Sequence, residues 1–227
     1  MPLRIVTYNI HSCVGGDRRY DPERILNILR EIDPDLIALQ EVGGLLTGGM
    51  EQVHFFEQKL GMSMVTAPNR HRRNIPFGNA ILVKGRIHDV TLLDLSVLPF
   101  ESRGAIDCLA DTQIGTIRVI ATHLGLLARE RRKQIERLSD RLGEKQQPLT
   151  VLLGDFNIFG PERRVLRRIG APKPLPKLYS FPARRPLMSL DRIWTIPNHR
   201  LARVSAYRTA LTRIASDHLP LVGVIDA

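Results

Sequence analysis

The chain has 227 residues, of which 43% are hydrophobic, enough to bury a sizeable core in one two-sheet domain spanning residues 1–227. Lysine and arginine number 33 against 23 aspartate and glutamate, and the net charge of +10 favours an anionic partner: nucleic acid, an anionic membrane or a polyphosphate. No apolar run reaches the ~18 residues of a membrane span, Met1-Pro2-Leu3-Arg4-Ile5 enters a strand with no secretory leader, and Cys13 and Cys108 support neither a disulfide framework nor a thiolate zinc site. A cytoplasmic protein with reduced thiols is expected.

In chain order, the first element is the β-rich run 3–9, which ends at Asn9. Asp21 followed by Pro22 opens a helix over 22–32. A second apolar strand, 35–41, ends in Gln40 and Glu41. A helical pattern at 50–60 precedes strand-like runs near 63–67, 79–84, 86–95, 103–110 and 116–122, the last leading to His123. Over 128–143 a helix carries Arg129, Lys133, Arg137 and Arg141 as an i, i+4 ridge beside Glu130, Glu136 and Asp140, the pattern of a salt-bridged surface. Strand 149–154 runs into Gly154-Asp155-Phe156-Asn157. In 161–169, Arg163, Arg164, Arg167 and Arg168 share one helical arc, either solvated or turned to phosphates. Five prolines between 172 and 186 make that stretch a loop. Strands near 190–196, 201–208 and 219–225 follow, the last preceded by Ser216-Asp217-His218. Many strands with few, separated helices predict two packed sheets flanked by helices. The longer connections are 43–50 and 68–78, and within the second Asn69-Arg70-His71-Arg72-Arg73-Asn74 offers basic groups to a cleft.

Four of these strands carry Asn, Glu, Asp or His at one end. Side chains at i and i+2 of a strand share a side, so Asp155 and Asn157 are expected to reach one point. Gly, Asp and Asn are also ordinary turn residues, and a solvated turn is the alternative. Glu41, after a strictly apolar run, offers the carboxylate oxygen that a hard cation such as Mg²⁺ prefers. Asn9, on the neighbouring strand end, either helps to order the metal or a phosphate oxygen or caps a turn.

The pieces Thr7-Tyr8-Asn9, Leu39-Gln40-Glu41, Ala121-Thr122-His123, Gly154-Asp155-Phe156-Asn157, Leu190-Asp191-Arg192-Ile193 and Ser216-Asp217-His218 occur in an order that resembles the endonuclease/exonuclease/phosphatase family. That family includes pancreatic-type deoxyribonucleases, abasic-site endonucleases, inositol polyphosphate phosphatases and bacterial sphingomyelinases. The resemblance implies a four-layered α/β/β/α sandwich and a metal-dependent phosphoesterase using Mg²⁺, with Mn²⁺ able to substitute. It implies that Asp155 orients or deprotonates the attacking water and that Asn157 holds a phosphoryl oxygen. His218 becomes a donor to the phosphoryl oxygens, or the base, and Asp191 the carboxylate that orients it. Taken singly, Asp191 could equally pair with Arg192. His123 faces the scissile phosphate, Arg103 binds phosphate, and Asp217 either completes the metal site with Glu41 and Asn9 or orients the other ligands. One departure stands out: some nucleases of the family carry an acid two residues after the first asparagine, where this chain has His11. His11 then either contacts substrate or faces solvent.

Three functions fit this reading. The first is a phosphodiester hydrolase acting on nucleic acid, which the charge favours. The second is a phosphodiesterase of lipid head groups at an anionic membrane, which the basic surface serves equally. The third is a non-catalytic binding module of the same fold. No obligate protein partner is implied.

Overall fold

The computed structural model of the chain describes residues 1–43, 50–72, 75–144, 147–158, 167–170 and 177–226. One sheet contains β1 (Leu3–Asn9), β2 (Leu36–Gly43), β3 (Ser63–Arg72), β4 (Ile75–Val83), β10 (Leu201–Ala206) and β11 (Leu221–Ile225), in the order β10-β11-β1-β2-β4-β3. The other contains β5 (Ile87–Asp94), β6 (Gly104–Thr112), β7 (Gly115–His123), β8 (Thr150–Asp155) and β9 (Asp191–Ile196), in chain order. The pairs β1/β2 and β7/β8 are parallel and the remaining neighbours antiparallel, so both sheets are mixed.

Strand periodicity sorts the side chains into layers. In β1, Leu3 and Ile5 enter the core between the sheets, while Val6 and Tyr8 enter a second cluster under α1 (Pro22–Ile32) and α2 (Met50–Leu60). β2 divides the same way, Leu36 and Ala38 facing the other sheet and Ile37 and Leu39 the helices. A third cluster joins Ile120, Leu152 and Trp194 to Ile135 and Leu138 of α3 (Ala128–Glu144) on the far face of the second sheet. The result is the α/β/β/α sandwich, with strands buried on both faces and reading as continuous apolar runs.

Local chemistry sets the helix ends. Asp21 accepts the Arg24 N–H at 3.3 Å with Pro22 at the first helical position, as expected for that start. The basic ridge of α3 is exposed at Arg129, Lys133 and Arg137 and ion-paired on the surface at Arg141–Glu144, as expected, but its second half also reaches inward. Arg141 reaches down to Asp107 of β6 at 2.6 Å, and Arg137 donates to the carbonyls of Ser96 and Asp94. The ridge ties the helix to the sheet, because strand edges offer acceptors to its long side chains.

Two expected loops also change. Residues 69–72 belong to β3, so that basic run is strand up to Arg72, and Arg73 and Asn74 lie outside the described residues. Of 43–50, Gly43 ends β2 and Met50 opens α2, the rest lying outside them. In the helix expected over 161–169, residues 161–166 also lie outside, and Arg167–Ile169 form a single 3-10 turn.

Candidate active site

Along the inter-sheet face, apolar rows turn polar at one end of the sandwich. Leu3 and Ile5 continue as Thr7 and Asn9, Leu36 and Ala38 as Gln40, Val119 and Ala121 as His123, and Val151 and Leu153 as Asp155. Ile193 is preceded in its row by Asp191. Register aligns the endings: Asn9 lies beside Gln40, and His123, Asp155 and Asp191 lie side by side on three strands. All six are buried.

Glu41 breaks the parity, since its position in β2 belongs to the helix-facing row. A bulge between Leu39 and Val42 intervenes, and Glu41 takes a left-handed conformation with φ +57°, costly for a residue with a side chain. Bulges beside sites re-aim side chains in this way. The Glu41 carboxylate accepts the Asn9 Nδ2 amide at 3.0 Å.

Asn9 Nδ2 also donates to Asp155 Oδ2 at 3.1 Å, so one amide group bridges two carboxylates from opposite sheets. Asp155 Oδ1 accepts the Asn157 backbone N–H at 3.0 Å. Beyond these, His123 Nε2 lies 3.5 Å and His218 Nε2 3.6 Å from Asp155 Oδ2. Asp191 Oδ2 meets His218 Nδ1 at 2.8 Å, and Phe181 packs on the His218 ring at a centroid distance of 4.9 Å. Asp191 Oδ1 is buried without a hydrogen-bond partner among the described residues. Arg103 Nη1 stands 3.2 Å from His123 Nδ1. A guanidinium can only donate, so Nδ1 accepts and the His123 proton sits on Nε2, directed at Asp155.

Burial raises the Asp155 carboxyl to about 6, reinforced by the charge of Asp191 and resisted by His218, Asn9 and Asn157. Burial works against a charged His218, but Asp191, Asp155 and Asp217 outweigh it and push the imidazole up to about 10. His218 is therefore an imidazolium at neutral pH, and an acceptor for a proton only above that range. Burial lowers the Arg103 guanidinium against the opposing pull of Glu41, Glu130 and Asp155.

The backbone supports this layout at two places. Gly154 has φ +143°, and a Cβ there would stand 1.9 Å from the Thr122 carbonyl oxygen, so only glycine lets β8 close on β7 beside the site. Ser216 Oγ donates to the Asn9 carbonyl at 2.7 Å and lies 3.3 Å from the His218 N–H. One hydroxyl thereby fixes the Asn9 and His218 segments together.

Comparison with known proteins follows from this geometry. The model of the Endonuclease/Exonuclease/phosphatase family matches residues 6–218. The chain belongs to that family. Among solved structures it is similar to an endonuclease/exonuclease/phosphatase family protein from Leptotrichia buccalis (TM-score 0.78, 15% identity, 99% of this chain and 100% of that one). It is also similar to the human Nocturnin catalytic domain (TM-score 0.75, 19% identity, 99% and 93%). A third is an AP endonuclease from Archaeoglobus fulgidus (TM-score 0.72, 21% identity, 99% and 100%). At these identities the likeness is one of fold. No curated protein matches the sequence.

The structure brings Asn9, Glu41, His123, Asp155, Asp191, His218 and Arg103 into one connected set. Asn157 arrives by another route than strand parity. β8 ends at Asp155, Asn157 has φ +51°, and its Nδ2 donates to the Leu124 carbonyl at 2.9 Å. The alternative role for Asp191 falls away, because Arg192 donates to its backbone carbonyl while the carboxylate serves His218. His11 is exposed; its backbone N–H caps Asn9 Oδ1 and its ring meets the Val14 carbonyl. Half-buried Asp217 lies beside Ser216 Oγ at 3.4 Å. Sequence reasoning missed Asn79, whose Nδ2 donates across the sheets to the Gly104 carbonyl beside Arg103. Its signal was available: Asn79 is the polar end of the row containing Ile81 and Val83.

The donor set suits a divalent cation. Asp155, Asp191 and His218 offer ligand atoms within 4.8 Å of one another, and Glu41 adds a hard, half-buried carboxylate one amide away from Asp155. Because His218 Nδ1 and Asp191 Oδ2 are spent on each other, the oxygen atoms of Glu41, Asp155 and the orphaned Asp191 Oδ1 fit a hard cation better than the imidazole does.

Proposed function

We propose that residues 1–227 form one hydrolase unit that cleaves phosphodiesters with Mg²⁺, nucleic acid being the substrate. The observation that carries this reading is the bridging of Glu41 and Asp155 by Asn9 beside a buried Asp191–His218 pair. Glu41 would hold the ion with carboxylate oxygens of Asp155 and Asp191, Asn9 and Asp217 ordering that set, and the ion would supply charge neutralisation at the phosphoryl oxygens and acidify water. Asp155, ionised above about pH 6, orients the attacking water and takes up its proton. His218, kept cationic by Asp191, donates to the phosphoryl oxygens as negative charge grows there. His123 presents Nε2–H to the same place, and Asn157 and Arg103 complete the set of donors, with His11 at the rim. The net charge of +10 supports a polyanionic substrate, and one of the structural neighbours is an AP endonuclease. A lipid head group is the second reading, favoured by the apolar loop tips described below.

Purified protein incubated with Mg²⁺ or Mn²⁺ against plasmid, abasic duplex, RNA and phospholipid vesicles tests this. Cleavage of a nucleic acid that stops with chelator is the expected result. Full cleavage in chelator, or none of any substrate with either metal, sinks the reading.

A further inference from the structure

Exposed hydrophobic groups are distributed unevenly between the two ends of the sandwich. Ten large hydrophobic residues of the described chain are exposed, and seven lie in the connections at the site end, six in loops and Ile214 in the short helix Thr212–Ala215. They include Leu98 at 89% exposure, Leu187 at 75%, Leu126 at 65%, Leu127 at 54% and Ile214 at 45%. The other three are Met1 and, on the edge strand β5, Val90 and Leu92. The described connections at the opposite end carry none.

Each apolar tip is anchored to the site. Leu98 caps the loop whose base pairs the Leu95 N–H with the Arg103 carbonyl. Leu126 and Leu127 follow Leu124, whose N–H bonds the Asp155 carbonyl. Leu187 donates its N–H to the carbonyl of Phe181, the residue packed on His218. Ile214 stands four residues before His218.

Exposed arginines accompany the tips. Arg129 and Arg132 follow Leu127, and Arg129 also covers the Phe100 ring at 5.6 Å, joining that helix end to the Leu98 loop. Arg184 and Arg185 precede Leu187, and Arg213 precedes Ile214. Two acidic groups nearby are already paired, Asp17 with Arg24 and Glu101 with Arg103. The mouth of the site is thus a ring of protruding aliphatic groups set among cations.

We propose that this end docks on a bilayer containing anionic phospholipid. Aliphatic tips gain free energy only by leaving water, and arginines beside them gain it from an anionic surface within a Debye length. A bilayer interface supplies both at one depth. A second copy of the chain does not, because two surfaces of a chain with a net charge of +10 repel. Duplex nucleic acid satisfies the arginines but sets the leucines against phosphate. Docking turns the cleft toward phosphodiesters of lipid head groups, an orientation that rests on the proposed hydrolysis; the docking itself does not.

Co-sedimentation of the full chain, in chelator, with vesicles of phosphatidylcholine alone or mixed equally with phosphatidylglycerol provides the test. The chain should bind the mixed vesicles and not the neutral ones. Leu126→Ser/Leu127→Ser/Leu187→Ser should lower the partition coefficient at least ~10-fold, and Arg184→Glu/Arg185→Glu should do likewise. Arg86→Glu/Arg203→Glu, the same change of charge on exposed residues away from the mouth, should cost less than half of that on a logarithmic scale. Serine variants that bind like wild type, or a charge control as damaging as the loop pair, would overturn the proposal. So would duplex DNA binding that falls with the serine variant while vesicles go unbound. Hydrolysis of a soluble aryl phosphodiester with Mg²⁺ is measured in parallel: all three variants should keep it. Docking without hydrolysis sinks the proposed reaction alone, and hydrolysis without docking sinks this inference alone.

Discussion

Two buried charged clusters lie on opposite faces of the second sheet. Beneath α3, Arg118 makes a two-pronged contact with Asp107 at 2.9 and 2.8 Å, Arg141 adds a third donor at 2.6 Å, and further donors of Arg118 go to the carbonyls of Arg141 and Leu142. Both Asp107 oxygens are used and the geometry is tight. Between the sheets both Asp155 oxygens also accept a hydrogen bond, but its two histidine neighbours stand off at 3.5 and 3.6 Å and Asp191 keeps an oxygen without a partner among the described residues. A cluster whose valences are filled holds the fold. One whose valences are left open stores unsatisfied polarity, and that has value only where something else binds.

If that contrast is right, substitutions in the two clusters should fail in different ways. The largest effect belongs to the open cluster. Asp191→Asn and His218→Ala should each lower turnover on the order of 10³-fold. The double variant should be scarcely worse than the worse single, because the two residues act as a unit. Losses that multiply would mean that Asp191 and His218 work apart. Next comes the closed cluster: Asp107→Ala removes the buried carboxylate that Arg118 and Arg141 share and should cost about 3–5 kcal/mol in urea unfolding. Turnover per folded molecule should be unchanged, and a loss of turnover without a loss of stability would erase the distinction.

A smaller effect is expected at the edge of the open cluster. Glu41→Ala should weaken Mg²⁺ binding ~100-fold by titration calorimetry with little change in stability, because alanine keeps the Cβ and with it the left-handed strain. Tight metal binding by that variant would move the ion elsewhere. The smallest effect is the pH dependence of stability in chelator. The folded-state pKa of His218, about 10, exceeds its unfolded value near 6.5, so its contribution is complete below pH ~6.5 and is lost as pH rises through about 10. Asp155 is also raised, to about 6 from 3.8, so ionising it costs stability as pH climbs through about 6. Urea midpoints should therefore fall between pH 8 and 10.5 for the wild type and stay flatter for His218→Ala. Parallel profiles would show that His218 is not held as an imidazolium.

Legibility in the sequence followed the same division. The strands were readable because burial on both faces leaves unbroken apolar runs, and the runs ended at Asn9, Glu41, Asp155 and before His218. The resemblance to the family then supplied roles that spacing alone does not assign. What was hidden arises where the chain leaves ideal geometry. Glu41 reaches the site through a bulge, Asn157 through a turn beyond the strand, and His123 acquires its tautomer from Arg103, twenty residues away in sequence. Asn79 and Gln40 could have been found by following the inter-sheet rows to their polar ends. The inward contacts of Arg137 and Arg141 were hidden because helical spacing names a face without saying what lies beneath it.

Ser216 has a bearing on how the molecule is made. Its hydroxyl clasps the Asn9 carbonyl, and β11 pairs with β1 from Thr7↔Leu221 to Leu3↔Ile225. During synthesis β1 therefore waits for β11, about 200 residues later, before it has both neighbours. A nascent chain stopped before residue 216 can assemble the Asn9–Glu41–Asp155 bridge but has neither the clasp nor His218. Contacts of such long sequence separation form late and slowly. Competence for chemistry should accordingly wait until the segment carrying Ser216 and His218 has been made, so that shorter chains do not act on the polyanions around them.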